Sequence, residues 1–154
     1  MTLTPEDIIA AEGYTLTRTV SESDIYQFAG ITGDLSRYHT DEEFMKRSPY
    51  GGRVAHGVLI LGLVSTASTR FWEKLDFAGM GISLGYDRVR FVNGVLIGDT
   101  LTAHYKVTQW LPERSRFHAQ AVVTNQNGGV CLSATHVTKA FNQTIDAAEN
   151  GQRS

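Results

Sequence analysis

The chain has 154 residues, 14 Lys and Arg against 16 Asp and Glu, a net charge of −2 and one cysteine. That length fits a single domain able to bury about 70% of its unfolded surface, and the near-neutral charge gives no broad basic field for nucleic acid or an acidic membrane. One cysteine, Cys131, excludes an intramolecular disulfide and, with no cysteine or histidine cluster beside it, a zinc motif.

The first residues, Met1-Thr2-Leu3-Thr4-Pro5, lack the basic and apolar regions of a secretory signal, and the apolar stretch from Val54 to Ala67 is short of the roughly 20 residues a bilayer span needs. A soluble protein of a reducing, cytoplasmic compartment is expected. In chain order, Thr4-Pro5-Glu6-Asp7 reads as a capped helix start, soon stopped by Gly13, and Tyr14 to Val20 alternates as a strand. Ser21-Glu22-Ser23-Asp24 resembles a capping box; its helix has Ile25, Phe28 and Ala29 or Thr32 on the apolar face and ends at Gly33. Thr40-Asp41-Glu42-Glu43 reads as a second box with Thr40 as the cap, and Lys46 and Arg47 stand at the favourable end of that short helix. His39 is thus expected just outside a helix N-terminus, whose dipole disfavours imidazolium while Asp34 pulls the other way.

From Gly57 to about Leu75 a helix is expected that is apolar nearly all round, hence buried within a sheet with only its far end in solvent. Trp72 near that end reads as a core or interface anchor. Strands are predicted at Ile82 to Val92, Thr100 to Trp110, Ser115 to Thr124 and Val130 to Phe141, with Asn127-Gly128-Gly129 turning between the last two. With Tyr14 to Val20 they make five antiparallel strands. Leu101, Ala103, Tyr105 and Val107 share one face, as do Phe117, Ala119, Ala121 and Val123, and Cys131 is a small buried strand residue. Residues 1–141 form one domain and 142–154 a polar tail.

The unusual chemistry is concentrated between Phe28 and Gly62. Asp34 and His39 are five residues apart, an offset of about 140° on a helix and of opposite faces on a strand. They converge only if the backbone between them is irregular, as Gly33 and Ser36 allow. A carboxylate and an imidazole aimed at one point suit acid–base chemistry on water. Further on, Gly51-Gly52-Arg53-Val54-Ala55-His56-Gly57 leads into an apolar helix, whose first N–H groups are free donors suited to a carbonyl oxygen gaining negative charge.

The pattern of an aromatic, Thr32-Gly33-Asp34, His39 and Arg53-Val54-Ala55-His56-Gly57, followed by Val89-Arg90-Phe91 and Gly98-Asp99-Thr100-Leu101, resembles the MaoC-like dehydratases and (R)-specific enoyl-CoA hydratases over about residues 14 to 140. The resemblance implies an α+β hot-dog fold, a curved antiparallel sheet of about five strands wrapped round a long central helix. It implies a hydro-lyase acting on an acyl-CoA thioester, a homodimer with joined sheets, and no metal or cofactor beyond the coenzyme A of the substrate. Asp34 and His39 fall on the catalytic pair and Gly57 on the glycine whose N–H binds the thioester carbonyl. His56 orients the loop before the helix and lies beside the substrate. Arg88 and Arg90, on one face of a strand, meet coenzyme A phosphates or are solvated charges.

Where the family has Asn-Pro this chain has Ser36-Arg37. Serine supplies a hydroxyl in place of an amide, and Arg37 recognises a second carboxylate, a coenzyme A phosphate, or points to solvent. The alternatives are an acyl-CoA thioesterase, against which the Asp34–His39 spacing argues, and a non-catalytic acyl-CoA-binding subunit.

Overall fold

Side-chain caps fix where the N-terminal helices begin. In the computed structural model, which describes residues 3–77 and 79–141, Thr4 caps α1 (Pro5–Ala10) and Asp7 returns the bond to the Thr4 N–H. After β1 (Tyr14–Thr19), Ser21 and Asp24 make the same reciprocal pair at the start of α2 (Glu22–Thr32). Gly33 ends α2 at φ 77, a left-handed conformation that costs a residue with a Cβ. The single turns α3 (Arg37–Thr40) and α4 (Glu42–Met45) precede the long α5 (Gly57–Lys74). The strands β2 (Met80–Phe91), β3 (Thr100–Leu111), β4 (Arg116–Thr124) and β5 (Val130–Phe141) follow.

The five strands form one antiparallel sheet in the order β1-β3-β4-β5-β2. Both alternating sets expected on its inner face, Leu101 to Val107 and Phe117 to Val123, are buried, and Ile60, Val64, Ala67 and Phe71 of α5 join the same core. Small residues such as Ala103, Ala119 and Ala121 let the helix lie close to the sheet. The α+β hot-dog architecture is therefore present. Trp72 is a core anchor, packed against Phe71, Phe77 and Phe117, and Cys131 is buried as expected. The polar tail lies outside the described residues.

The central helix differs from expectation. Val58, in its first turn, is 59% exposed, and Gly62, Ser65, Thr66 and Thr69 continue an open face along it. A single curled sheet covers one side of a helix; the other carries small residues at three- and four-residue spacing and is left uncovered by this chain.

Behind the helix a polar chain runs from buried Ser68, Tyr105 and His136 out to exposed Ser83. Tyr105 Oη is 3.2 Å from His136 Nδ1, Ser83 Oγ is 2.8 Å from His136 Nε2, and Ser68 donates to Tyr105 Oη at 3.2 Å. Burial pushes the Tyr105 phenol up to about 12 and His136 down to about 4. A histidine whose folded value lies below its unfolded one contributes stability that is complete above the unfolded value. That contribution is lost as pH falls from about 6.5 through about 4. Asp7 and Asp41, held below the usual carboxylate range chiefly by the backbone N–H groups of Thr4 and Phe44, lose theirs at lower pH. Urea unfolding is therefore expected to show about 3 kcal/mol of stability lost across the histidine window, and His136→Asn should flatten that slope. An unchanged slope in the folded variant would assign the loss to other groups.

Candidate active site

The backbone after α2 is shaped by its own polar groups. Gly33 turns the chain, the Asp34 N–H donates to Thr32 Oγ1 at 3.3 Å, and the Ser36 N–H donates to Asp34 Oδ1 at 3.3 Å. The helical turn α3 then carries His39 back towards Asp34, so a loop plus one turn achieves the convergence that neither a helix nor a strand could. This corrects two expectations. Asp41, not Thr40, caps α4, accepting from the Phe44 N–H at 2.9 Å, because Thr40 ends α3 and its Oγ1 donates to the Leu35 and Ser36 carbonyls. His39 accordingly lies within α3, near its C-terminal end, and not outside the N-terminus of α4.

His39 Nδ1 lies 2.6 Å from the Val54 carbonyl oxygen. A carbonyl only accepts, so Nδ1 carries the hydrogen and the neutral ring presents a bare Nε2. That Nε2 is 3.9 Å from Asp34 Oδ2, too far for a direct hydrogen bond and a span that one water bonded to both would bridge. The Asp34 side chain is 54% exposed, so the pair opens outward.

Beneath it His56 is 3% exposed and stacks on His39 at 3.6 Å between centroids, 27° between planes. His56 Nε2 is 3.0 Å from the Asp34 carbonyl oxygen and 4.0 Å from its Oδ2. Asp34, His39 and His56 each bring one ligand-type atom within 4.8 Å of the others, and imidazole and carboxylate are groups that transition metals bind. As arranged, however, His56 Nε2 gives its proton to the Asp34 backbone and offers no lone pair.

The loop before α5 is tied down from several sides. Arg53 Nε donates to Glu42 Oε2 at 2.9 Å and Nη1 to Tyr26 Oη at 3.1 Å, and its other arm pairs with Glu22. These partners hold the guanidinium well above its ordinary value, the Glu22 hydrogen bond first among them. The Val54 N–H donates to the Tyr38 carbonyl and the Ala55 N–H to that of Val95. Gly57, the first residue of α5, therefore has a fixed N–H with no acceptor in its own helix. It borders a cavity of about 240 Å³ lined in part by Tyr50, Val58, Ile60, Phe91 and Cys131. A Cβ on Gly57 would stand 2.9 Å from Phe91 Cδ1, so a larger residue here would push that ring aside. Phe91 entered the sequence reading only as part of a motif; its packing on Gly57 is a contact between distant segments.

The remaining candidates lie farther out. Ser36 occupies the cap position of α3 but its hydroxyl makes no capping bond. Arg37 directs Nε and Nη2 at Asp41 Oδ2, at 3.0 and 2.9 Å, with its guanidinium 4.1 Å from the Phe44 ring centroid, so its fork is already engaged. The β2–β5 register slips between Asp87 and Arg90, where Arg88 adopts φ 52. Arg88 Nη2 reaches Thr135 Oγ1 and Arg90 pairs with Ser133. Since Ala134, between those partners, and His136, just after Thr135, are buried, both arginines belong to the outer sheet face, turned away from α5.

A model of the MaoC like domain matches residues 7–129. The chain is 36% identical over 110 residues to an (R)-specific enoyl-CoA hydratase of Rhodospirillum rubrum, covering 71% of this chain and 72% of that protein. It is 35% identical over 112 residues to a 3-hydroxybutyryl-CoA dehydratase of Methylorubrum extorquens, covering 72% and 68%. Among solved structures, the unliganded R-hydratase PhaJ1 of Pseudomonas aeruginosa superposes with a TM-score of 0.71 at 27% identity, over 86% of this chain and 84% of that one.

Proposed function

The chain belongs to the MaoC-like domain family, and from that premise we propose that it is a hydro-lyase of the enoyl-CoA hydratase type, adding water reversibly across the α,β double bond of an acyl-CoA thioester. The observation that carries the reading is the 3.9 Å span between Asp34 Oδ2 and the bare His39 Nε2. A water held there donates a hydrogen to each and turns a lone pair towards the β-carbon. As its oxygen bonds to that carbon, one proton passes to the dyad and the π electrons move onto the thioester oxygen, which the Gly57 N–H stabilises as an enolate. The dyad then returns a proton to the α-carbon, the thioester carbonyl reforms, and no redox cofactor enters the balance.

The hydrated thioester is expected to carry coenzyme A, with Arg88 and Arg90 available to its phosphates from the outer sheet face. Arg37 is exposed beside its partner Asp41, and a carboxylate of the acyl chain or a coenzyme A phosphate is proposed to exchange for that weak surface pair. The active form is proposed to be a homodimer. Edge strand β2 is 12 residues long and exposes Met80, Ile82 and Leu84, and such an edge invites pairing with a second copy. No helix among the described residues is long and apolar enough to cross a membrane.

Turnover of short, branched, aromatic and dicarboxylic enoyl-CoAs tests the reading, with loss of unsaturation and release of free thiol followed in parallel. Unsaturation lost without thiol is the expected result. Thiol release would make the protein a thioesterase, and binding without turnover across the panel would make it a non-catalytic acyl-CoA-binding subunit.

A further inference from the structure

Two imidazoles stack at this site, and their backbone partners fix them in opposite tautomers. His39 Nδ1 faces the Val54 carbonyl and His56 Nε2 faces the Asp34 carbonyl. Each contact requires an N–H on the nitrogen named, since a carbonyl oxygen cannot donate. Neutral His39 therefore keeps its lone pair on Nε2, facing the Asp34 carboxylate, and neutral His56 keeps its own on Nδ1. His56 Nδ1 is buried with no partner, and Phe28 lies 4.8 Å from the same ring. The His56 ring meanwhile stacks on His39, the residue that takes part.

We propose that His56 is a positioning residue, locked as the Nε2–H tautomer, that sets the distance between the Asp34–His39 water site and the Gly57 donor. The inference rests on the hydratase reading. His56 is the residue immediately before α5, so its backbone is continuous with the Gly57 N–H. Its one N–H ties the backbone of Asp34 to that same point, across 22 residues of sequence. Its ring face supports His39, whose own Nδ1 is anchored to Val54, two residues before His56. Both halves of the chemistry are thereby referred to one buried side chain. Losing this reference misaligns reacting groups without removing any, and a displacement of about 1 Å costs on the order of 100-fold in rate. The loss belongs in kcat, because the misplaced groups act chiefly in the transition state.

Two variants divide the contacts. His56→Phe keeps a flat ring against His39 and deletes the donor to Asp34; His56→Gln keeps an amide donor and deletes the ring. His56→Phe is expected to lower kcat by about 10- to 100-fold with KM little changed, and His56→Gln to recover part of the loss, both with thermal unfolding checked. Wild-type kcat in folded His56→Phe would overturn the proposal, and so would a loss confined to KM, which would make His56 a substrate contact.

A readout independent of activity is ¹⁵N NMR of the imidazoles in the wild-type protein. The bare nitrogen is expected on Nδ1 of His56 and on Nε2 of His39, and a proton found on His56 Nδ1 overturns the assignment. If wild-type protein hydrates no enoyl thioester, the hydratase reading fails while the NMR result still decides the tautomers. If Asp34→Asn abolishes hydration and His56→Phe does not lower it, only the positioning role fails.

Discussion

Asp34→Asn and His39→Ala are each expected to lower kcat for hydration by at least about 100-fold, and the double variant to fall little below the worse single one. The expectation comes from geometry. One water bridging the 3.9 Å between Asp34 Oδ2 and His39 Nε2 needs both acceptors, so removing either loses the water's orientation as well as a proton acceptor, and residues that act as a unit are non-additive. Asn is the sharper substitution at Asp34: it preserves the oxygen that accepts the Ser36 N–H and removes the charge. Its exposed side chain makes a large folding defect unexpected. The measurement is steady-state hydration for the two single variants and the double. Losses that multiply would mean two independent sites of action, and full activity in Asp34→Asn would remove the carboxylate from the chemistry.

What the sequence made legible was local. The caps of α1 and α2, the left-handed Gly33 and the alternation along β3 and β4 each depend on residues a few positions apart, and all are present. Thr40 and Asp41 show where locality fails. Either can cap a helix, and the choice fell to Asp41 because the Thr40 hydroxyl bonds back to the Leu35 and Ser36 carbonyls. The open face of α5 was hidden for another reason. Composition marks the helix as one to be buried, but this chain's own sheet covers only one side of it and leaves Val58, Ser65 and Thr69 exposed.

The site divides in the same way. Asp34, His39 and Gly57 were singled out as candidates by residue type, spacing and resemblance. The tautomers of His39 and His56 were not, since they are set by carbonyls 15 and 22 residues distant. The ion pair of Arg37 with Asp41, four residues on, formed no part of the sequence expectations for that arginine. The β2 bulge at Arg88 is invisible in β2 alone, because it exists only in register with β5.

Gly57→Pro should cost about 100- to 1,000-fold in kcat, the loss typical of removing one donor to a developing oxyanion. Proline deletes the N–H, and the first helical position is where a helix best accepts it, so α5 itself is expected to persist. Proline also adds a Cβ, which Phe91 would meet at 2.9 Å. That steric effect is separated by Gly57→Ala, which meets the same ring but keeps the N–H. Phe91 is half exposed, so its ring has room to turn aside, and Phe91→Leu in the Gly57→Ala background should restore whatever the contact alone removes. Thermal unfolding of all three variants establishes that each is folded before rates are compared. The ratio of kcat between Gly57→Ala and Gly57→Pro then measures the donor itself. A ratio near unity would place the thioester oxygen against another group, whereas a ratio of about 100 or more would fix the acyl carbonyl at the first turn of α5, beside the water held by Asp34 and His39.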